Sequence, residues 1–206
     1  MCIRDSPYIA SKQSSQLLFR QIRHHFLFNT LNTTVCLIDD QPDQAKSNLI
    51  KLAKLYRAVL DQTVTSTLEE EIEMTECYLE IEKVRLGERL QVRWDLRCDH
   101  LLETQVPPML LQPLVENAVY HGVETLSEGE GAIDIVIKED IHNSISFKIT
   151  NPVGLEDLSS GSLCTHINLE KRLILLYGRG NFRFVKTQRA DYYCTEITLS
   201  KEKTNI

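Results

Sequence analysis

Two short segments set polar residues inside otherwise apolar helical patterns, and both have the makings of a chemical site. In Gln21-Ile22-Arg23-His24-His25-Phe26-Leu27-Phe28-Asn29-Thr30-Leu31-Asn32, two histidines and two asparagines interrupt a run of large apolar side chains. His25 and Asn29 stand four positions apart and share a helix face, so the amide can orient an imidazole nitrogen that acts as a nucleophile. A neutral imidazole carries the lone pair that a nucleophile needs. The plain alternative is a histidine packed on a helix surface. In Leu111-Gln112-Pro113-Leu114-Val115-Glu116-Asn117-Ala118-Val119-Tyr120-His121-Gly122, the interrupting residues are Glu116, Asn117 and His121. Glu116 and Asn117 offer hard oxygen ligands for Mg²⁺, and His121 offers a phosphate-facing imidazole one turn on, a set that suits a nucleotide. Here the plain alternative is a water-exposed helix edge. Two such segments in one chain are more specific than either alone.

The surrounding pattern says what must position them. Leu18, Ile22 and Phe26, then Phe28, Leu31, Val35 and Ile38, recur at helical steps, which predicts a helix over Gln16–Ile38. Asp39-Asp40-Gln41-Pro42 breaks it and opens a second helix, with Ala45, Leu49, Leu52, Tyr56 and Val59 on one face through about Asp61. Two such helices form an antiparallel hairpin, and two hairpins bury both stripes as a dimeric four-helix bundle. Thr63–Ser66 reads as a polar link. Thr67 and Glu70 have capping-box spacing, opening a third helix that Gly87 stops after Leu86. Leu90, Val92 and Trp94 alternate as in a strand, Met109–His121 reads as a helix, and strands are expected over Ala132–Lys138 and Ser144–Thr150. Asn151–Thr165 reads as an irregular loop, Ile167–Tyr177 as a short helix, and Phe182–Lys186 with Tyr193–Leu199 as a last hairpin. Helices followed by mixed elements predict an α+β chain: 1–15 a leader, disordered or a scar, 16–66 the helical part, and 67–206 a connecting helix with the second domain.

Composition narrows the function. The 206 residues are 42% hydrophobic and 25% charged with a formal net charge of −6, an ordinary globular balance that lacks the basic surface a nucleic-acid partner requires. Six scattered cysteines with no CxxC suggest neither a zinc site nor a disulfide framework. No apolar run approaches the ~20 residues that span a bilayer.

The run His25 to Asn32, then Leu52 to Leu60, Tyr78-Leu79-Glu80-Ile81-Glu82 with Arg85, and Leu111–Gly122, resembles the LytS/AlgZ-type sensor histidine kinases over roughly Gln16 to Leu199. The resemblance implies a Bergerat-type (GHKL) α/β sandwich that binds ATP and Mg²⁺, behind a homodimeric phosphoacceptor bundle. It implies that His25, with Asn29 on its face, accepts the γ-phosphoryl group, and that Glu116 and Asn117 form the motif at which Mg²⁺ and the ATP phosphates are held, Asn117 as metal ligand and Glu116 as the catalytic group that can take the imidazole proton. His121, Asn151, Gly154, Gly161, Asn168 and Arg172 are the further implied nucleotide contacts. The partner would be a response regulator, with the LytTR type as the candidate. The setting would be the cytoplasmic domain of an inner-membrane sensor whose membrane segments lie outside this chain.

Departures from the family pattern leave a second reading open. His24 stands where a proline is common, so two imidazoles compete as acceptor, and Tyr120 replaces a common lysine. Asn151-Pro152-Val153-Gly154 has an asparagine where an aspartate normally receives the adenine amino group. Gly161-Ser162-Leu163-Cys164-Thr165-His166-Ile167-Asn168 keeps Gly161 and Asn168 but lacks two glycines that let backbone N–H groups approach phosphates. The alternative is therefore a non-catalytic dimeric scaffold that presents His25 or binds a regulator with weak or no ATP turnover. A GHKL ATPase of another kind is disfavoured, because the His-Phe-Leu-Phe-Asn helix precedes the ATP domain.

Overall fold

The structure, a computed structural model, describes residues 24–60, 65–97, 99–127, 129–140, 143–153, 161–178 and 180–200. The expected leader and the first part of the first helix lie outside them. The chain divides into two compact units, Met1–Gln62 and Thr63–Ile206.

In the first unit α1 (His24–Leu37) and α2 (Pro42–Leu60) are joined by a turn in which Gln41 N–H donates to the Leu37 carbonyl at 2.8 Å. Their shared seam is Phe26, Thr30 and Thr34 on α1 against Ala45, Asn48, Leu52 and Leu55 on α2, all buried. The threonines satisfy their hydroxyls on the preceding turn, Thr30 to the Phe26 carbonyl at 2.8 Å and Thr34 to the Thr30 carbonyl at 2.7 Å. Asn48 Nδ2 then donates to Thr34 Oγ1 at 2.8 Å, a polar pin across the seam. This corrects the expected stripe on α2: Leu49 is exposed, and Asn48 and Leu55 take the inner face. The seam steps by three and four from Ala45, and Leu49 falls one position off it. On α1 the apolar row Phe28, Leu31 and Val35, continued by Ile38 just past its end, likewise faces outward.

The second unit is two-layered. Its sheet runs β2 (Leu90–Arg97), β4 (Gly131–Asp140), β5 (Ser144–Pro152), β7 (Tyr192–Ser200), β6 (Phe182–Gln188), with β2 parallel to β4 and the remaining pairs antiparallel. Ile133, Ile135 and Ile137 of β4, Phe147 and Ile149 of β5 and Ile197 of β7 point to one face and are buried, each burial worth about 1.5–3 kcal/mol. Helices α3 (Leu68–Leu86), α4 (Gln112–His121) and α5 (Gly161–Tyr177) pack there.

Helix α3 begins as its spacing predicts. Thr67 Oγ1 accepts from Glu70 N–H at 3.2 Å, and Glu70 Oε2 accepts from Thr67 N–H at 2.9 Å. The Thr67 N–H and then the Ser66 hydroxyl hold the Glu70 carboxyl below the usual range. Gly87, at φ 59°, ends it.

Three expectations are revised. Ser66 is not in a polar link: β1 (Ser66–Thr67) pairs antiparallel with β3 (Gln105–Val106). Helix α4 starts at Gln112 rather than Met109, because Met109 adopts φ 57° and cannot sit in a right-handed helix. The chain is already helical from Gly161, not from Ile167, consistent with Ser162-Leu163-Cys164-Thr165 lacking the glycines that would break it.

Candidate functional site

Two helices and one strand carry the described residues expected to hold a nucleotide. Gln112, Glu116 and Asn117 are all buried on α4, with Tyr120 exposed and His121 half-buried at its end. Gln112 Nε2 donates to Glu116 Oε1 at 2.9 Å, one turn along the helix. Asn117 Oδ1 and Gln112 Oε1 are buried and have no hydrogen-bond partner among the described residues. A buried polar atom without a partner costs about 1–3 kcal/mol, so these two amide oxygens are open acceptors. Asn117 Oδ1 is a hard oxygen donor of the kind Mg²⁺ takes.

At the far end of α4 the backbone approaches β5 closely. A Cβ placed on Gly122 would stand 2.3 Å from the Ala118 carbonyl oxygen and 2.5 Å from Asn151 Nδ2. A side chain at Gly122 would collide with the helix's own carbonyl and crowd the Asn151 side chain. Asn151 is buried and donates from Nδ2 to the Pro152 carbonyl at 2.8 Å. The ring of Tyr120 meets that of His121 edge-on, with centroids 4.9 Å apart.

Helix α5 contributes Arg172. Its Nη1 and Nη2 are buried without hydrogen-bond partners among the described residues. Burial pulls the guanidinium pKa down, opposed by the charge of Glu71. Arginine carries five donors in a planar fork, so these nitrogens are open to an anion. Glu71 is itself buried, and its carboxylate accepts the backbone N–H groups of Met109 at 2.6 Å, Leu110 at 2.7 Å and Leu111 at 3.1 Å. Burial pushes the Glu71 carboxyl up, against these three donors and Arg172, which favour its ionised form. Gly161 lies at the start of α5 and Asn168 within it, while Gly154 lies outside the described residues.

In the other unit His25 is exposed on α1, and Asn29 Nδ2 stands 3.2 Å from each of its ring nitrogens. The amide N–H₂ can donate to whichever nitrogen carries the lone pair.

Residues 13–90, most of the first unit and the start of the second, match the Histidine kinase family. The chain is 33% identical over 184 residues to the sensor protein LytS of Streptococcus agalactiae, covering 82% of this chain and 31% of that protein. To the sensor histidine kinase YpdA of Escherichia coli it is 30% identical, covering 84% and 32%. The chain belongs to the LytS-type sensor histidine kinases. It spans about a third of the length of these relatives. At the level of fold alone, this LytS-type chain is similar to the histidine kinase domain of the blue-light activated kinase EL346 from Erythrobacter litoralis, with a TM-score of 0.51 at 13% identity over 93% of this chain and 95% of that one. It is similar to a bacterial phosphotransferase with the same TM-score of 0.51 at 11% identity, covering 95% and 98%. Among the described residues of the LytS-type chain, no helix is long and apolar enough to cross a membrane.

Sequence reading misses Glu71 and Gln112. Glu71 sits in the acidic run Glu69-Glu70-Glu71, which looks like a solvated helix start. Its spacing with Leu68, Thr75 and Tyr78, all buried, is the signal that could find it.

Proposed function

We propose that the chain is the ATP-dependent phosphoryl-transfer part of a two-component sensor, in which His25 takes the γ-phosphoryl group of ATP and hands it to an aspartate of a response regulator, the LytTR type being the candidate. The ring nitrogen–phosphorus bond forms as the bond from γ-phosphorus to the bridging oxygen breaks, leaving ADP, and the imidazole N–H proton passes to a base. Phosphoryl transfer needs chiefly positioning and charge stabilisation. Asn117 would hold Mg²⁺, which supplies positive charge against the phosphates. Arg172 would meet a phosphate oxygen, and Asn29 would hold the His25 ring. Glu116 is the base candidate, although its carboxylate is buried and engaged by Gln112, which requires a rearrangement before it could take a proton.

The observation carrying this reading is the buried Asn117 Oδ1 on α4, which has no hydrogen-bond partner among the described residues. The outward apolar row on α1 supports a homodimer through a four-helix bundle, and the second unit is read as a Bergerat-type domain. The likeness to LytS supports placement as the cytoplasmic portion of an inner-membrane sensor. Incubating the purified chain with Mg²⁺ and γ-³²P-ATP tests it: acid-labile, base-stable label on the protein is expected. A chain that binds Mg-ATP but never takes label would overturn the transfer step.

The scaffold reading has one observation in its favour. Residues 161–168, where glycines would let backbone N–H groups reach phosphates, are helical, so those groups are committed to the helix beyond its first turn. Absent nucleotide binding together with a stable dimer would favour it.

A further inference from the structure

We propose that α3 is a two-point clamp on α4, with Glu71 and Arg85 as positioning residues that fix where Asn117 stands; this rests on the nucleotide-site reading above. Three observations carry it. First, α4 has no side-chain cap of its own at Leu111, and at its start the cap comes from another helix. The Glu71 carboxylate takes the N–H groups of Met109, Leu110 and Leu111, the segment that leads into α4 and ends on its N-cap residue, and puts a negative charge at the positive end of the helix dipole.

Second, the other end of α4 is held from the same helix. Arg85 bridges Glu82 of α3 and Glu124 in the turn that follows α4, its Nε donating to Glu82 Oε2 at 2.7 Å. Arg89, just past α3, adds a bond from Nη2 to the Leu126 carbonyl at 3.0 Å. Tyr78, between the two grips, is buried, and the charges of Glu82 and then Glu116 add to the burial that holds its phenol well above the ordinary value.

Third, the spacing fits. At ~100° and ~1.5 Å per residue, Glu71, Tyr78, Glu82 and Arg85 fall within about 60° of one another on the helical wheel, and Glu71 and Arg85 stand about 21 Å apart along the axis. The α4 helix spans about 15 Å by the same rise, with a turn at each end for the grips to hold. A ten-residue helix is too short to keep its shape alone. The block Tyr78-Leu79-Glu80-Ile81-Glu82 with Arg85 thereby acquires a structural role, splinting the helix that carries the metal ligand.

The experiment uses the full chain with Glu71→Gln, Glu124→Gln and the double variant. Glutamine keeps the shape of glutamate but has one acceptor oxygen instead of two. Two quantities are read: amide hydrogen exchange across 112–121 without nucleotide, and Mg-ATP affinity by calorimetry. Each single variant should speed exchange in that helix about tenfold and weaken Mg-ATP about tenfold, while exchange in β4 and β5 and the labelling rate at saturating Mg-ATP stay within about twofold of wild type. Because both grips restrain one short rod, the double variant should be little worse than the poorer single one. Unchanged exchange in 112–121, exchange rising equally through the sheet, or affinity losses that multiply would each overturn the clamp. Should Glu71→Gln not fold, Glu124→Gln, at the half-buried grip, decides the question. Should the wild type bind no Mg-ATP, the nucleotide reading falls while the exchange comparison still judges the clamp.

Discussion

Helices α1 and α4 carry the two candidate chemistries, and they treat their side chains in opposite ways. Helix α1 buries two threonines on its partner while Phe28 and Val35 are 63% and 65% exposed. Helix α4 buries Gln112, Glu116 and Asn117, and leaves two of their amide oxygens without partners among the described residues. An exposed apolar row asks for a protein surface, whereas a buried open acceptor asks for a cation or a donor. The same device, polar residues interrupting an apolar helix, thus serves opposite needs: on α1 the ring is presented, on α4 the amide oxygens are enclosed.

The largest expected effect lies on α1. His25→Gln should remove acid-labile label entirely, and His24→Gln should only reduce it, because adjacent helical positions point ~100° apart and Asn29 shares the His25 side. The reverse pattern in ³²P labelling would move the acceptor by one residue. On α4, Asn117→Ala should weaken metal-dependent ATP binding by about a hundredfold or more, and unchanged calorimetric affinity would remove this helix from the site. Two truncations in the first unit separate inner seam from outer row. Leu55→Ala, at a fully buried position, should destabilise that unit by about 2–5 kcal/mol. Val35→Ala should leave melting of the monomer nearly unchanged but raise the dimer dissociation constant roughly tenfold in sedimentation.

The smallest effect is a pH profile. Burial pushes the Tyr177 phenol up to about 12, and burial followed by the charges of Glu82 and Glu116 holds Tyr78 well above its ordinary value. Unfolded tyrosines lose their protons above pH ~10 while these keep theirs, so the folded state binds more protons in that window. Stability is intact below pH ~10 and should fall as pH rises toward ~12. Tyr177→Phe should flatten part of that decline in thermal melts, and an unaltered slope would count against it.

Local signals in the sequence are strong where backbone chemistry is local. The Thr67–Glu70 box, the Gly87 stop and the alternating isoleucines of β4 are readable because each depends on neighbours a few positions away. What stays hidden depends on distant partners. The start of α4 is set by a carboxylate 38 positions upstream of Met109, which no periodicity window contains. The inner face of α2 is not legible because apolarity marks two faces there, one for α1 and one facing outward, and only packing tells them apart.

The parallel pairing of β2 with β4 bears on how the molecule comes to be. Leu90 pairs with Gly131, whereas β4 with β5 and β6 with β7 are joined by short turns. Local hairpins close early, and a parallel crossover must first confine its long intervening segment. That segment contains α4. Asn117 is thus expected to reach its place among the last events of folding, and, on the proposed nucleotide reading, a nucleotide that binds only the finished site would favour the completed fold by mass action.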